Sequence, residues 1–162
     1  SDPEESGTTF LENARIKARA AHELACAAVL ADDSGLIVDA LDGAPGVYSS
    51  RYSGVDGDDS ANNAKLLREL SAVPLAKRTA RFASVLVFID EDGLETVAEG
   101  FVEGHIGLVE RGEHGFGYDP LFFPDVYNGE VTMAELTQSQ KNAISHRGNA
   151  LRELRKKLHP SD

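Results

Sequence analysis

The sequence predicts an α/β fold, in which helices and strands are mixed along a chain of 162 residues. Apolar residues recur every three or four positions over residues 10–28, a spacing typical of an amphipathic helix. A run of β-branched, aromatic and small residues over 81–89 is typical of a strand. Because 41% of the residues are hydrophobic and 27% are charged, the composition is that of a globular protein with a core. We expect one domain, or two small lobes that share one sheet.

The first half of the chain is expected to hold two helices and a short strand. Residues 43–54 are too rich in turn formers to be regular. The first helix is expected to begin at the capping-box spacing of Thr9 and Glu12. A short buried strand over 29–31 ends at Asp32 and Asp33, and a turn follows at Ser34-Gly35. The second helix is expected over 58–70, capped by Asp58 or Asp59.

The second half is expected to be richer in strands and to end in one long helix. Residues 90–93 form the turn of a hairpin between strands over 81–89 and 94–102. Two further short strands are expected over 105–109 and 120–123. The final helix is capped within 137–140 and ends near Leu158, before Pro160.

Charge and composition restrict the class of function. The formal net charge is −11, from 16 basic and 27 acidic residues, so the chain is a poor candidate for binding nucleic-acid backbone. A small anionic ligand is still compatible, because a bound metal and a few cations reverse the sign locally. No apolar run approaches the ~20 residues that span a bilayer, and no signal peptide is recognisable, so we expect no membrane partner and a cytoplasmic location.

The single cysteine has no internal partner for a disulfide. Cys26 lies among alanines at the end of the first predicted helix. We expect a buried and inert thiol there.

Two adjacent carboxylates, Asp32 and Asp33, follow the short apolar segment and are the best metal-ligand candidates. Neighbouring side chains of a strand point to opposite faces, so both aim at one point only if the chain turns between them. We expect one Asp to face a pocket and the other to brace the turn by accepting backbone N–H bonds. Mg²⁺ keeps several waters, so one or two carboxylates with phosphate oxygens suffice. An Asx-turn without any metal is the alternative interpretation.

Other acidic residues are weaker candidates. Glu12 is explained as the capping-box partner of Thr9, whereas Glu4 and Glu5 are either metal ligands or solvated. Asp56, Asp58 and Asp59 are better explained by a loop and a helix start.

The segment Gly115-Phe116-Gly117-Tyr118-Asp119-Pro120 presents an aromatic side chain between two glycines. Glycine allows close backbone approach, so Phe116 is placed to stack on a purine, worth roughly 1–3 kcal/mol per base. A tight turn with core aromatics is the alternative.

Polar residues also interrupt the last helical pattern. Ser145-His146-Arg147-Gly148 brings a hydroxyl, an imidazole and a guanidinium together, and a glycine in a helix interior costs ~1 kcal/mol relative to alanine. Arg147 and Lys141 can donate to phosphate or to a base oxygen. For Lys141 alone, a solvated helix face is the simpler explanation.

Taken in order, these segments resemble the inosine/xanthosine triphosphate pyrophosphatase family. The resemblance covers the chain from its start to the last helix, and four motifs in this order are highly specific. They are Glu4-Glu5-Ser6-Gly7-Thr8-Thr9-Phe10-Leu11-Glu12-Asn13-Ala14, Ala31-Asp32-Asp33-Ser34-Gly35-Leu36 with Gly43 to Tyr52, Phe116-Gly117-Tyr118-Asp119-Pro120, and Lys141-Asn142 with Ser145-His146-Arg147-Gly148.

The resemblance implies Mg²⁺-dependent hydrolysis of a non-standard purine nucleoside triphosphate (ITP, dITP or XTP) to the monophosphate and pyrophosphate. It also implies a homodimer, and an elongated mixed sheet flanked by helices in two lobes with the active site in the cleft. Asp33 matches the family's proton acceptor and metal ligand, and Glu4 matches a second metal ligand. The implied substrate contacts are Ser34, Phe116, Gly117, Tyr118, Asp119, Lys141, His146 and Arg147.

The start of the sequence departs from the family pattern. Family members begin with a strand and a Ser/Thr-x-Asn-x-x-Lys loop that binds the triphosphate, and this sequence begins after both. We therefore expect residues 1–162 to be one incomplete domain that binds a purine base weakly and hydrolyses triphosphate slowly or not at all. Two alternatives stay open: a nucleotide-binding module without turnover, and a related pyrophosphatase for modified pyrimidines or m7GTP-like nucleotides.

Overall fold

The computed structural model describes residues 5–160, which divide into two compact units. The first unit contains the residues up to Ser34, Ala83–Phe101 and the residues from Ser145 onward. The second unit contains Gly35–Phe82 and Val102–Ile144.

Within residues 5–160 the chain forms four strands and four α-helices. The sheet has the order β1-β2-β3-β4, and β3 pairs antiparallel with β4 in the register His105 to Phe123. This sheet with its helices confirms the predicted α/β class. The elements are α1 (Phe10–Ala25), β1 (Val29–Val38), α2 (Asp59–Glu69), β2 (Thr79–Ile89), β3 (Glu95–Ile106), β4 (Phe122–Pro124), α3 (Gln138–Ile144) and α4 (His146–Leu158).

Helix α1 begins where the capping spacing predicts. The Thr9 hydroxyl accepts the N–H of Glu12 at 3.1 Å, and the Glu12 carboxylate accepts the N–H of Thr8 at 2.6 Å. The helix ends at Ala25, and Cys26 follows in the left-handed region with φ 51°. Cys26 is exposed, so the prediction of a buried thiol is wrong. The alanines around it, which suggested a buried helix face, are exposed as well.

Strand β1 is much longer than predicted. It runs for ten residues through Asp32, Asp33, Ser34 and Gly35, so the turn expected at Ser34-Gly35 does not form. The apolar residues beyond it alternate between buried and partly buried, as in a strand. Pairing in the sheet therefore outweighs the turn preference of serine and glycine.

The second half also differs in two places. Strand β3 extends to Ile106 instead of stopping at residue 102, so no separate strand forms over 105–109. The long final helix is divided at Ser145, whose hydroxyl accepts the N–H of Gly148 at 3.0 Å and caps α4. A serine that satisfies a free N–H group starts a new helix more readily than it continues an old one.

Each unit has its own apolar core. In the first unit, Ala14 and Ala18 of α1 pack against Val85 and Val87 of β2. The core of the second unit is formed by residues in or next to β1, α2, β2 and β4, among them Leu36, Leu66, Leu70, Phe82, Leu121, Phe122 and Met133. None of the helices in residues 5–160 is long and apolar enough to cross a lipid bilayer.

Candidate active site

A buried carboxylate in the middle of β1 is the centre of the candidate site in the first unit. Asp33 is 9% exposed, and Lys17 of α1 places its Nζ 3.3 Å from Asp33 Oδ1. The same Nζ lies 3.3 Å from Glu5 Oε1, so one ammonium bridges two carboxylates. Asn13 is one helical turn before Lys17 and is fully buried on the same helix face. We call Glu5, Asn13, Lys17 and Asp33 the acidic site.

The environment of the acidic site favours the neutral form of Asp33. Burial raises the pKa of the Asp33 carboxyl, Lys17 opposes that shift, and the negative charge of Glu5 adds to it. Among residues 5–160, Asp33 Oδ2 has no hydrogen-bond partner of good geometry, although the Asn13 amide is near enough to lower the pKa of the Asp33 carboxyl. Asp33 therefore keeps an acceptor oxygen available for a proton or a cation.

The donor set of the acidic site fits a hard, hydrated cation. Within the described residues, no group of three or more His, Cys, Asp or Glu side chains is arranged to hold a metal ion. Two carboxylate ligands, Glu5 and Asp33, are compatible with Mg²⁺, which keeps waters and takes phosphate oxygens as further ligands. Glu4, the second metal ligand expected from the sequence, lies outside the described residues.

Asp32 does not brace a turn, contrary to the prediction. Its carboxylate lies 3.4 Å from the Arg147 guanidinium, and Arg147 also donates to the Ser34 hydroxyl at 3.3 Å. Because the strand continues, Asp32 and Asp33 have different partners, Arg147 and Lys17. The structure thus brings together Ser34 and Arg147, two of the expected substrate contacts. His146 precedes Arg147 as the first residue of α4 and is half-buried.

A glycine in β3 determines how closely α4 approaches the sheet. A Cβ at Gly100 would overlap the backbone N of Ala150 and the carbonyl O of His146. Only glycine fits at this contact. Gly100 therefore sets the position of the helix turn that carries His146 and Arg147.

In the second unit, residues 115–119 form a loop that we call the aromatic loop. Gly115 and Gly117 have φ +83° and +60°, values that favour glycine. The Phe116 ring is 62% exposed, and Lys141 Nζ lies 4.4 Å from its centroid. A cation at that distance attracts the ring face. The aromatic loop thus presents a large apolar surface beside a positive charge.

The charge of Lys141 is held in place by Asp119. Lys141 is 9% exposed, and its Nζ lies 2.5 Å from Asp119 Oδ2. The interpretation of Lys141 as part of a solvated helix face is therefore wrong. The same Oδ2 accepts the N–H of Phe116 at 3.1 Å, and a Cβ at Gly115 would overlap it. Asp119 and Gly115 together fix the start of the aromatic loop.

Tyr118 faces the core of the second unit. It is 5% exposed, and its hydroxyl donates to the Ser49 carbonyl at 2.6 Å. Burial raises the pKa of Tyr118 far above the ordinary tyrosine value. The Tyr118 side chain therefore stabilises the loop in its neutral form.

A family model described as the Ham1 family matches residues 1–157. The chain belongs to the Ham1 family. This membership confirms the family expected from the motifs.

Individual Ham1 relatives agree over nearly the whole chain. A dITP/XTP pyrophosphatase of Oceanobacillus iheyensis is 54% identical over 98% of this chain and 79% of its own length. The Ham1 protein of Staphylococcus aureus has a structure with TM-score 0.92 and 43% identity, matched over 100% of this chain and 82% of that one. A nucleoside-triphosphatase / dITP/XTP pyrophosphatase of Mycobacterium abscessus gives TM-score 0.83 and 46% identity, over 98% and 80%. The enzyme class predicted from the sequence, a nucleoside triphosphate pyrophosphatase, is confirmed.

Several residues of this Ham1 chain that support the candidate site were missed by sequence reasoning. Lys17 and Asn13 form half of the acidic site, and their four-residue spacing on α1 was the signal that could have found them. Asn63 of α2 donates to the Gly117 carbonyl at 2.8 Å, a contact between residues 54 positions apart. Asp59, expected at a helix start, is there and also accepts the N–H of Gly117 at 3.0 Å. Two consecutive asparagines in an otherwise amphipathic helix were the hint of these contacts in the sequence.

Proposed function

We propose that this chain hydrolyses non-standard purine nucleoside triphosphates, such as ITP, dITP and XTP, to the monophosphate and pyrophosphate with Mg²⁺. The observation that carries the proposal is the buried Asp33 carboxylate, which has a free acceptor oxygen beside Lys17. The names of the Ham1 relatives support the reaction and the substrates.

Asp33 is the proposed proton acceptor. A general base must be ionised and must bind a proton readily, and a carboxyl whose pKa is raised by burial meets the second condition better than a free one. Lys17 lies beside Asp33 and opposes that rise in pKa, which favours the ionised form. This balance suits a base that removes a proton from an attacking water.

Asp33 and Glu5, with Glu4 from the family resemblance, are the residues that would hold Mg²⁺. When bound, Mg²⁺ supplies positive charge that stabilises the phosphate oxygens. Lys17, already held between two carboxylates, orients them for this task. The cation also offsets part of the net charge of −11, which otherwise repels a triphosphate.

The aromatic loop is the proposed base-binding element. Phe116 would stack on the purine, and the exposure of its ring leaves area for that contact. Hypoxanthine and xanthine carry an acceptor oxygen at position six, whereas adenine carries an amino donor. A donor placed against that oxygen would be left unpaired by adenine, a mismatch that discriminates by up to about 10⁴-fold, and the family resemblance gives His146 and Arg147 as candidate donors.

A homodimer in the cytoplasm is the proposed working state, supported by the family resemblance. Sedimentation velocity of the purified protein checks the oligomeric state, and a monomer at all concentrations would contradict it.

Timed release of pyrophosphate from a panel of triphosphates tests the proposed function. We expect ITP, dITP and XTP to be hydrolysed faster than ATP. Preference for m7GTP or for a modified pyrimidine would assign a related pyrophosphatase. Binding of ITP without pyrophosphate release would favour a nucleotide-binding module.

A further inference from the structure

Helix α2 carries two consecutive buried asparagines that the proposed chemistry does not use. Asn62 and Asn63 are 2% and 3% exposed. Burying a polar side chain costs free energy unless it finds hydrogen-bond partners. Asn62 finds them in the Ser50 carbonyl at 2.9 Å and the Ser53 N–H at 2.7 Å. Each asparagine of this pair therefore fastens a loop to α2.

The loop fastened by Asn63 is the aromatic loop. Asn63 Nδ2 donates to the Gly117 carbonyl at 2.8 Å and to the Asp59 carbonyl at 2.9 Å. One turn earlier, Asp59 Oδ2 accepts the Gly117 N–H at 3.0 Å. Both polar backbone groups of Gly117 are thus bound by one turn of one helix. We call Asp59 and Asn63 the Gly117 clamp.

The helix does not need Asp59 as its cap. Asp58 has that role, since its Oδ1 accepts the Ala61 N–H at 3.1 Å. The Asp59 carboxylate is directed instead to a residue 58 positions away in the sequence. The Asp59 carboxylate therefore stabilises the aromatic loop and is not needed to cap the helix.

The clamp matters because the Phe116 ring is mostly exposed. Because most of the ring is exposed, the backbone on both sides of Phe116 contributes strongly to the direction in which the ring points. Asp119 holds the Phe116 N–H, and the clamp holds Gly117. The left-handed conformation of Gly117 fixes the direction of the backbone where it leaves Phe116.

We propose that Asp59 and Asn63 are positioning residues for recognition of the purine base. By holding Gly117, they keep Phe116 preorganised beside Lys141, so that little ordering is left for the moment of binding. This inference rests on the proposed function of the aromatic loop. It predicts a loss of base affinity without a matching loss of the chemical step at Asp33.

Four variants test the clamp. Asp59→Ala removes the acceptor for Gly117, whereas Asp59→Asn keeps an acceptor oxygen and removes only the charge. Asp58→Ala removes a carboxylate of the same helix turn that has no hydrogen bond to Gly117. Asn63→Ala removes the other half of the clamp, and if it does not fold, the exposed Asp59 still carries the test.

The readouts are KM and kcat for ITP, the dissociation constant of IMP, and the exchange rate of the Gly117 amide proton by NMR. We expect Asp59→Ala to raise KM and the IMP dissociation constant by about tenfold, the effect of one charge-assisted hydrogen bond. We expect kcat to change less than about threefold, since the interaction concerns binding. Gly117 exchange should accelerate. Asp59→Asn should recover most of the loss in KM, in IMP affinity and in Gly117 protection, because it keeps the acceptor oxygen, and Asp58→Ala should lower only the melting temperature.

The outcomes separate this inference from the proposed function. Equal KM and IMP affinity in Asp59→Ala and wild type would overturn the inference, as would equal losses in Asp58→Ala and Asp59→Ala. A wild-type protein that binds no IMP would overturn it too. A wild-type protein that binds IMP but releases no pyrophosphate from ITP contradicts the proposed function only, and the IMP affinities still decide the inference.

Discussion

Asp33 is a residue at which stability and chemistry conflict. Its pKa is raised by burial, so between the ordinary aspartate value and the raised value the folded state binds more protons than the unfolded state. Ionised Asp33 therefore lowers the free energy of unfolding at neutral pH, and this cost disappears as the pH falls through that window. A residue kept under such a cost is a candidate for function.

We predict that Asp33→Asn raises the melting temperature at pH 7 while lowering turnover of ITP by at least about two orders of magnitude, as loss of a general base does. Differential scanning fluorimetry and pyrophosphate release measure the two effects. Asp32→Asn is the control, because Asp32 is 44% exposed and pairs with Arg147. An Asp33→Asn protein that is less stable than wild type, or retains more than a tenth of the turnover, contradicts this account.

Arg78 shows how a buried charge is satisfied without a carboxylate. It is 4% exposed, and its guanidinium donates to the carbonyls of Val73, Gly107 and Leu70 at 2.9, 2.8 and 2.7 Å. Nothing in the sequence around Arg78 distinguished it from the other basic residues, because its acceptors are backbone carbonyls, which no side-chain pattern marks.

We predict that Arg78→Lys lowers the free energy of unfolding by about 2–4 kcal/mol, because an ammonium cannot reach three carbonyls in this fork. Urea denaturation measures the loss, with Lys77→Ala at the neighbouring exposed position as control. A change below about 1 kcal/mol would mean that the carbonyls find other donors.

At the scale of elements, α4 depends on the close contact at Gly100. Gly100→Ala places a methyl group against the backbone of α4, which must move away. We predict a loss of about 1–3 kcal/mol in the free energy of unfolding, typical of overpacking. ITP turnover should fall as well, because His146 and Arg147 move with the helix. Urea denaturation and kinetics check both effects against Glu99→Ala, the exposed neighbour. Wild-type turnover in Gly100→Ala would remove α4 from the proposed mechanism.

Local signals predicted α1, α2 and the β2–β3 hairpin because capping residues and turn residues mark their ends. They failed at Ser34-Gly35, where sheet pairing continues a strand through turn formers, and at Ser145, where a side-chain cap divides a helix. At Ser145 the deciding contact is local, a cap to the N–H of Gly148, but at Ser34-Gly35 it is strand pairing that forms only in the folded chain. The same reason explains Cys26, whose exposure depends on what covers the end of α1.

At the scale of the whole molecule, the motifs located most candidate residues but not what positions them. Ser34 and Arg147 are joined across 113 positions, and Asp119 and Lys141 across 22. No recognised motif contains Lys17, Asp59 or Asn63. Each of them acts only by holding another residue in place. The sequence motifs thus indicate which residues are candidates for the chemistry, and only the folded structure shows which residues hold them in place.

The stability of the protein at low pH depends on ion pairs such as the one between Glu95 and Arg19. Hydrogen bonds and charges from Arg19 and Arg15 hold the pKa of Glu95 below its ordinary value. Its contribution to stability is present above the ordinary glutamate value of about 4.3 and is lost as the pH falls through the lowered value. We predict that Glu95→Gln flattens the fall in melting temperature below about pH 4.3, with Glu99→Gln as the control. An unchanged dependence of melting temperature on pH would show that solvent screens the interaction of Glu95 with its two arginines.

The central claim is that this chain converts a non-standard purine triphosphate to its monophosphate. Phosphorus NMR of ITP and ATP incubated with Mg²⁺ and the protein tests it directly, because pyrophosphate and orthophosphate give separate signals. We predict pyrophosphate and IMP in equal amounts from ITP, and a catalytic efficiency for ATP that is lower by up to about 10⁴-fold. Release of orthophosphate with IDP, or equal efficiency with ATP, would contradict the account.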